Sequence, residues 1–229
     1  GEFMLIALPN EDASFTATLF APFPTLDALR TPDAVTHFFA KWFPDVAANN
    51  FALMPSLVDD YFGNPSSPLL SISCSPWHCG GRVLLLGDAS HATVPFYGQG
   101  MNAGFEDALR LYEMLGEGGD LADTFQRFSA EMVPSRKGLV EVSLANYEEM
   151  RAKTNSRLFA LKRRLDWVLE GALPGVWAPL YTMVTFTRTH YHHAKAQAER
   201  QDRILNASIA AAALAALSLL AAALIRTAR

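Results

Sequence analysis

The stretch spanning residues 82–107, RVLLLGDASHATVPFYGQGMNAGFED, constrains the fold of this chain more than any other part of it. It opens with a continuous apolar run at 83–86, which is typical of a strand buried on both faces. Gly87 and Asp88 end the run, which predicts a carboxylate at the carboxyl edge of a sheet. Open α/β sheets bind their ligands at that edge.

A loop with special backbone residues separates this predicted strand from a predicted helix. Pro95 fixes one backbone dihedral in the loop, whereas Gly98 and Gly100 leave theirs free. The helix is predicted from Asn102 to about Leu115, because apolar residues recur there at helical spacing. Together, a strand end, an acid, a glycine loop and a helix N-terminus favour a ligand with hydroxyl groups and partial negative charge.

Residues 98–103 also satisfy the dinucleotide fingerprint GxGxxG/A. A Rossmann fingerprint lies in a tight turn directly after a strand, and a second strand follows its helix. Here the loop lies ten residues past Asp88, and more helix is predicted after it. We therefore favour the interpretation that the true fingerprint lies upstream and is absent from this chain.

The segment GDASHATVPFYGQGMNAGFED resembles the second flavin motif of the FAD-dependent aromatic-ring hydroxylases. Within that superfamily, the form PFxGQGMNxGFED resembles the kynurenine 3-monooxygenases most. Other blocks resemble the same family, at residues 3–10, 15–20, 146–151 and 179–186. Because these blocks occur in the right order over nearly the whole chain, the resemblance is more specific than a single motif.

The resemblance implies an α/β fold class, more narrowly an α+β fragment of a flavin hydroxylase. Residues 1–75 would belong to a substrate domain with an antiparallel sheet, and 76–133 to an FAD-domain segment. Residues 134–203 would form a helical region over the active site, followed by a transmembrane anchor at 204–225. The opening at Gly1 predicts that the N-terminal half of the same protein is missing, and with it an arginine for the substrate carboxylate.

Local patterns predict the individual elements of this arrangement. The β-prone runs 3–8 and 15–20 predict a hairpin, and residues 69–73 predict another strand. The sequence Thr31-Pro32-Asp33 is typical of a helix start. Further helices are predicted over 121–132, 136–173 and 176–201, and the first of them is expected to break at Pro134.

Residues 204–225 carry no charged side chain and are long enough to span a bilayer as a helix. A buried or partner-packed helix is the alternative, since alanine dominates the segment and inserts weakly. The resemblance implies a location on the mitochondrial outer membrane, facing the cytosol.

Composition limits the other classes of partner. The net charge is −4 and no basic block is present, which argues against nucleic acid. Cys74 and Cys79 have the wrong spacing for a metal or redox pair, so free thiols are predicted. His190, His192 and His193 are interpreted as helix residues because no nearby acid completes a metal site.

The resemblance implies that FAD is the cofactor. The matching aspartate would accept hydrogen bonds from the ribityl hydroxyls, and the glycine loop would bring N–H groups to the isoalloxazine ring. The implied cofactor-binding residues are Asp88, Pro95, Gly98, Gly100, Met101 and Asn102. His91 beside them is interpreted as a structural histidine that bonds the backbone.

The implied reaction hydroxylates L-kynurenine with NADPH and O2, and it needs no catalytic acid or base because the amine already activates the ring. The implied substrate-binding residues are Asn146, Tyr181, Glu149, Met150, Phe96, Tyr97, Gln99 and Phe20. From the residues alone, Asn146 and Glu149 would be exposed helix residues, and Tyr181 would belong to the core. Another aromatic hydroxylase, or a non-catalytic membrane-anchored binding protein, stays open.

Overall fold

A computed structural model describes residues 3–152 and 157–227 of the chain. The described residues are mostly helical, with four short strands among them. The chain divides into two compact units, Gly1–Leu69 and Leu70–Arg229.

The first unit begins with a β-hairpin. Strand β1 (Met4–Pro9) pairs antiparallel with β2 (Phe15–Phe20), and Met4 lies opposite Phe20. In the turn, Asp12 accepts hydrogen bonds from the backbone N–H and the hydroxyl of Ser14, which lower the pKa of Asp12. The predicted hairpin is confirmed.

Four helices complete the first unit: α1 (Phe23–Ala28), α2 (Pro32–Trp42), α3 (Pro44–Phe51) and α4 (Leu57–Gly63). Thr31 caps α2, because its hydroxyl accepts a hydrogen bond from the N–H of Ala34 at 3.2 Å. The buried face of α2 packs with residues from the loop before it and from α3 and α4. This core contains Leu29, Val35, Phe38, Phe39, Val46 and Leu57. The predicted helix start at Thr31 is confirmed.

The second unit begins with a two-stranded antiparallel ribbon, β3 (His78–Cys79) and β4 (Val83–Leu84). The predicted strand over 69–73 is wrong, since those residues form no sheet pairing. The predicted strand over 83–86 is shorter than expected, and Val83 is 55% exposed. A strand becomes buried on both faces only between other layers of structure, and within the described residues only β3 pairs with β4.

Helix α5 (Asp88–His91) and a 3₁₀ turn (Pro95–Tyr97) lead to α6 (Gly100–Gly116). The predicted helix is confirmed, but its apolar stripe does not face the core of this unit. The buried residues of α6 are Ala103, Asp107 and Met114. The exposed apolar residues are Met101, Phe105, Leu109, Tyr112 and Leu115.

Helix α7 (Leu121–Ala152) is continuous through Pro134, so the predicted break there is wrong. A proline inside a helix removes a backbone hydrogen bond. Burial on either side offsets this cost, because Met132, Ser135 and Arg136 are all buried. Helix α8 (Arg157–Ala172) covers the later part of the predicted helix over 136–173. Residues 153–156 of that prediction lie outside the described residues.

The predicted helix over 176–201 is divided into α9 (Leu180–Phe186) and α10 (Tyr191–Thr227). Thr187 ends α9 in an extended conformation, and its hydroxyl donates to the carbonyl of Met183 at 2.7 Å. The same hydroxyl oxygen accepts from the N–H of Thr189. Such local bonds compete with continued helix. The start of α10 then packs on α6, α7 and α9 in one core, which contains Ala103, Leu139, Val142, Met183, Val184, Tyr191 and Ala194.

Helix α10 extends over the segment that was predicted to cross a membrane. Among the described residues, no helix is both long and apolar enough for a membrane span. The predicted transmembrane anchor over 204–225 is therefore not supported by the structure. Within this segment, the side chains at 212, 213, 216, 217 and 219–225 lie outside the described residues. The mitochondrial location stays a prediction.

Candidate functional site

The turn after β4 presents a carboxylate at the surface. Gly87 has φ +57° and ψ −137°, a conformation that side-chain-bearing residues rarely adopt. The turn lies close to α6, since a Cβ on Gly87 would be 4.0 Å from the Cα of Gly104. Asp88 follows at the start of α5, and its side chain is exposed. This carboxylate is available to accept hydrogen bonds from a ligand.

The loop before α6 leaves backbone donors at the start of that helix. Gly98 is left-handed with φ +65°, and Gln99 precedes α6 without a side-chain cap. The first N–H groups of a helix have no partner within it. Gln99 instead donates to the carbonyl of Tyr97 at 3.2 Å and accepts from the side chain of Asn102 at 3.0 Å. These bonds hold the loop in place beside the free helix start.

The six predicted cofactor residues lie at the start of α5, in the loop before α6 and in the first turn of α6. Asp88, Pro95, Gly98, Met101 and Asn102 are exposed, and Gly100 is half-buried. An acceptor at Asp88 suits ribityl hydroxyls, and the start of α6 suits the partial negative charge of a flavin ring. These residues fit FAD, although their individual roles stay predictions.

A separate cavity of about 560 Å³ lies among the 3₁₀ turn and helices α7 to α10. Helix α7 lines one wall with Asn146, Glu149 and Met150, and residues from the loops and α9 line others. Six of the eight predicted substrate residues line it, namely Phe96, Tyr97, Asn146, Glu149, Met150 and Tyr181. The structure thus brings together three sequence blocks that are far apart in the chain.

Hydrogen bonds and ring contacts fix the walls of this cavity. The side-chain amide of Asn146 donates to the carbonyl oxygen of Phe96 at 2.9 Å. The ring of Phe96 stacks on Tyr147 with centroids 4.6 Å apart, and the rings of Tyr97 and Tyr181 have centroids 6.2 Å apart and planes inclined by 27°. Burial, followed by the nearby Glu149, raises the pKa of Tyr97 to about 12. Tyr97 therefore keeps its hydroxyl proton at neutral pH.

Two predicted substrate residues do not line the cavity. Gln99 is only 7% exposed, and its side chain stabilises the loop rather than facing this space. Phe20 ends β2 in the first unit and is half-buried there. The role of Phe20 stays a prediction, and a substrate contact by Gln99 has no support from the cavity.

Helix α8 supplies a charged and aromatic wall that the sequence reasoning missed. Its lining residues are Lys162, Arg163, Asp166, Trp167 and Glu170. The last four have i, i+3, i+4 and i+7 spacing, which places them on one helical face. The spacing in the sequence therefore predicts that these four residues share a helical face. It does not predict that this face lines a cavity.

Hydrogen bonds join α8 to its neighbours around the cavity. Lys162 donates to Asp202 of α10 at 2.7 Å, and the hydroxyl of Thr182 donates to Glu170 at 3.1 Å. The indole N–H of Trp177 donates to Asp166 at 3.3 Å. Burial is the main cause that raises the pKa of Asp166. Aromatic walls with an amide and both signs of charge suit a flat aromatic ligand that carries a charged polar end.

His190, just before α10, and His192 and His193 in its first turn lie close together, with the rings of His192 and His193 4.0 Å apart. Burial, and then the two neighbouring histidines, lower the pKa of His192. Within the described part of the chain, no group of three or more histidine, cysteine or acidic side chains could hold a metal ion.

Comparison with known proteins also indicates an FAD site and shows which enzymes this chain is similar to. Residues 62–120 match a family model described as an FAD binding domain. The chain is 40% identical over 208 residues to kynurenine 3-monooxygenase of Sus scrofa, covering 90% of this chain and 44% of that protein. It is 42% identical to the enzyme of that name from Flavobacterium johnsoniae, covering 90% and 46%. Kynurenine 3-monooxygenases are homologues of this chain. The resemblance predicted from its motifs and the predicted FAD cofactor are confirmed.

The similarity to kynurenine 3-monooxygenases also extends to Caenorhabditis elegans, at 40% identity over 90% of this chain and 45% of that protein. The chain thus spans somewhat under half the length of the curated relatives it matches. Among solved structures, a tetrameric 2-methyl-3-hydroxypyridine-5-carboxylic acid oxygenase gives a TM-score of 0.49 at 18% identity. That match covers 66% of this chain and 39% of the other. At this score the likeness is too weak to bear on fold or function.

Proposed function

We propose that this chain is part of an FAD-dependent monooxygenase that converts L-kynurenine to 3-hydroxykynurenine with NADPH and O2. The observation that carries the proposal is the cavity. Residues that the family resemblance implied as substrate contacts lie far apart in the sequence, and six of them line one space. The homology to kynurenine 3-monooxygenases supports the same assignment.

FAD supplies the redox chemistry when it is bound, and this chain contributes groups that hold it. Asp88 accepts hydrogen bonds from the ribityl chain. The backbone around Gly98 and the start of α6 carry donors and partial positive charge for the ring. The exposure of Asp88 and the uncapped start of α6 support these roles.

The cavity residues bind and orient the substrate and exclude water from it. The amide N–H of Asn146 is fixed on Phe96, so its oxygen is directed to accept from an amine of the ligand. Tyr97 offers a hydroxyl that remains protonated, and the ring of Tyr181 stacks beside the ring of Tyr97. The substrate ring is already activated by its own amine, so none of these residues needs to act as a general base.

We also propose that the isolated chain binds FAD weakly and is inactive. The exposed stripe on α6 supports this, because Met101 is 70%, Phe105 67% and Tyr112 75% exposed. Exposed apolar patches of this kind mark interaction surfaces. Since the relatives are more than twice as long as the aligned region, further polypeptide is available in them to cover such a surface.

The test uses the full-length gene product that contains this chain, with the isolated chain in parallel. We expect the full-length protein to consume NADPH when L-kynurenine is added and to release 3-hydroxykynurenine, identified by mass. 4-Hydroxybenzoate and anthranilate serve as control aromatic acids. Product formation from either control but not from L-kynurenine would favour another aromatic hydroxylase. Steady turnover by the isolated chain would refute its proposed inactivity.

A further inference from the structure

A cluster of buried charged and polar side chains lies beneath the turn that carries Asp88, outside the cavity. Asp107 of α6 and Arg136 of α7 are both completely buried, and His91 is 2% exposed. Buried charges destabilise a fold unless they are paired and hydrogen-bonded. The way in which these groups are paired therefore shows which parts of the chain they hold together.

Asp107 joins α6 to the turn. One of its carboxylate oxygens, Oδ2, lies 2.5 Å from Nε2 of His91 and 3.4 Å from the backbone N of Gly87. Among the described residues, Nδ1 of His91 has no hydrogen-bond partner. We therefore assign the ring proton to Nε2, because the other tautomer would bury an unpaired N–H group. Both His91 and Gly87 thus donate to the same carboxylate oxygen.

Arg136 holds the other side of that carboxylate. Its Nε donates to Oδ1 of Asp107 at 2.8 Å, and its Nη2 donates to Glu106 at 2.9 Å and to the carbonyl of Ala103 at 3.2 Å. The guanidinium also lies over the ring of Tyr191, 5.5 Å from its centroid. A guanidinium that is held on several sides leaves Asp107 little freedom to move.

The carboxylate of Asp107 accepts a hydrogen bond from Gly87, whose backbone conformation is unusual. Gly87 has positive φ, and a Cβ on Gly104 of α6 would lie 3.9 Å from the Cα of Gly87. The carbonyl of Gly87 accepts hydrogen bonds from the N–H groups of Ser90 and His91 and from the Ser90 hydroxyl, all within α5. The bond from the N–H of Gly87 to Asp107 adds a tie to α6 that helps to select this conformation. Asp88 is the next residue, and its direction depends on that conformation.

We propose that Asp107 is a positioning residue for FAD. Secured by Arg136 and His91, it fixes the turn at Gly87 so that the carboxylate of Asp88 is directed to the ribityl chain. This inference rests on the proposed FAD site. The proposed role differs from a purely structural one, because Asp107 affects the affinity for FAD by orienting Asp88.

The test measures the Kd for FAD, by flavin fluorescence, in the full-length protein and its variants. The variants are Asp107→Asn, Asp88→Ala and the double variant. We expect each single change to raise the Kd about tenfold, the loss typical of one charge-assisted hydrogen bond. The double variant should be no weaker than the weaker single variant, because both changes remove the same contact.

Ser129→Ala is the matched control for general destabilisation. Ser129 is a buried residue of α7 whose hydroxyl accepts from the backbone N of Trp77 at 3.1 Å. Its hydrogen bond is to Trp77 and not to the turn at Gly87. We expect this variant to lower Tm without changing the Kd. If Asp107→Asn changes the Kd no more than Ser129→Ala does, or if its effect adds to that of Asp88→Ala, the positioning role is wrong.

Arg136→Lys provides a second variant if Asp107→Asn does not fold. It keeps the buried positive charge but loses the planar fork that secures Asp107. We expect a raised Kd and an altered visible circular dichroism spectrum of the bound flavin, whereas an unchanged Kd and spectrum would overturn the inference. Failure of the wild-type protein to bind FAD at all would instead refute the proposed function on which the inference rests.

Discussion

The side chain of Asn146 donates a hydrogen bond to the backbone of Phe96, a residue 50 positions earlier in the chain. This bond ties the cavity wall on α7 to the loop that leads into α6. Arg136, on the same helix, is bonded to Asp107 of α6. Helix α7 therefore contacts the candidate cofactor segment through both Arg136 and Asn146. Asn146 also lines the candidate substrate cavity.

Replacing Asn146 with alanine removes this tie and a polar group from the cavity. We expect the free energy of unfolding to fall by about 1 kcal/mol, the usual net value of one hydrogen bond. In the full-length protein we also expect KM for L-kynurenine to rise about tenfold. Thermal unfolding and steady-state kinetics measure the two effects.

Asn64→Ala is the control for Asn146→Ala, because Asn64 is exposed in the linker before residue 70. It should change neither the stability nor KM. If Asn146→Ala lowers the stability but leaves KM unchanged, Asn146 supports the wall without binding the substrate.

Gly138 allows α7 and α10 to approach each other. A Cβ at this position would lie 2.6 Å from the backbone N of His192 and 2.8 Å from its Cα. Because backbone atoms cannot move aside easily, we expect Gly138→Ala to destabilise the chain by roughly 1–3 kcal/mol. Urea unfolding measures the change.

Gly171→Ala is the matched control, since a Cβ at Gly171 of α8 would meet nothing within 4 Å. Alanine favours a helix over glycine by about 0.5–1 kcal/mol. This control should therefore be neutral or stabilising. Equal effects of the two substitutions would contradict the close approach of α7 and α10.

Local sequence patterns correctly predicted those secondary-structure elements that are determined by neighbouring residues in the sequence. Thr31 and Pro32 mark the start of α2, and the two β-prone runs form a hairpin. Pro134 misled the prediction because its effect on α7 depends on burial around it, which a local pattern does not contain. Similarly, residues 69–73 have the composition of a strand but no sheet partner in the described chain.

In the candidate site as well, motifs in the sequence predicted some of the residues, whereas others could be recognised only from the tertiary structure. Family motifs identified Asn146, Glu149 and Tyr181, which the structure brings to one cavity. The flavin motif ends at Asp107 without implying a role for it, and Arg136 lies in no motif. The two residues are 29 positions apart on two helices and would ordinarily be taken for surface residues. Their burial and pairing are consequences of tertiary packing.

Glu131 should contribute a pH-dependent part of the stability. Arg110 donates to both of its oxygens, at 2.6 and 2.8 Å, and these bonds are the main cause that lowers the pKa of Glu131 from 4.5. A carboxyl with a lowered pKa stabilises the fold above its unfolded pKa and loses that contribution as pH falls through the folded value. We therefore expect Glu131→Gln to destabilise the chain near pH 7 and to reduce the loss of stability below about pH 4.5.

The size of this effect should be modest, about 0.5–1 kcal/mol near pH 7, because the pair is partly exposed. Urea unfolding from pH 3 to pH 7 measures it. Glu148→Gln is the control, since Glu148 is an exposed residue of the same helix. Parallel stability curves for wild type and Glu131→Gln would contradict the predicted role of the ion pair.

The exposed stripe on α6 predicts different responses in the isolated chain and in the full-length protein. Phe105 is 67% exposed, so Phe105→Ala should change the stability of the isolated chain by no more than about 0.5 kcal/mol. Phe128 of α7 is fully buried, and Phe128→Ala should cost roughly 3–5 kcal/mol in the same chain. If additional polypeptide covers the stripe, Phe105→Ala should become strongly destabilising in the full-length protein. A negligible effect there as well would show that Phe105 remains uncovered, and the stripe would no longer support the proposal that the isolated chain binds FAD weakly and is inactive.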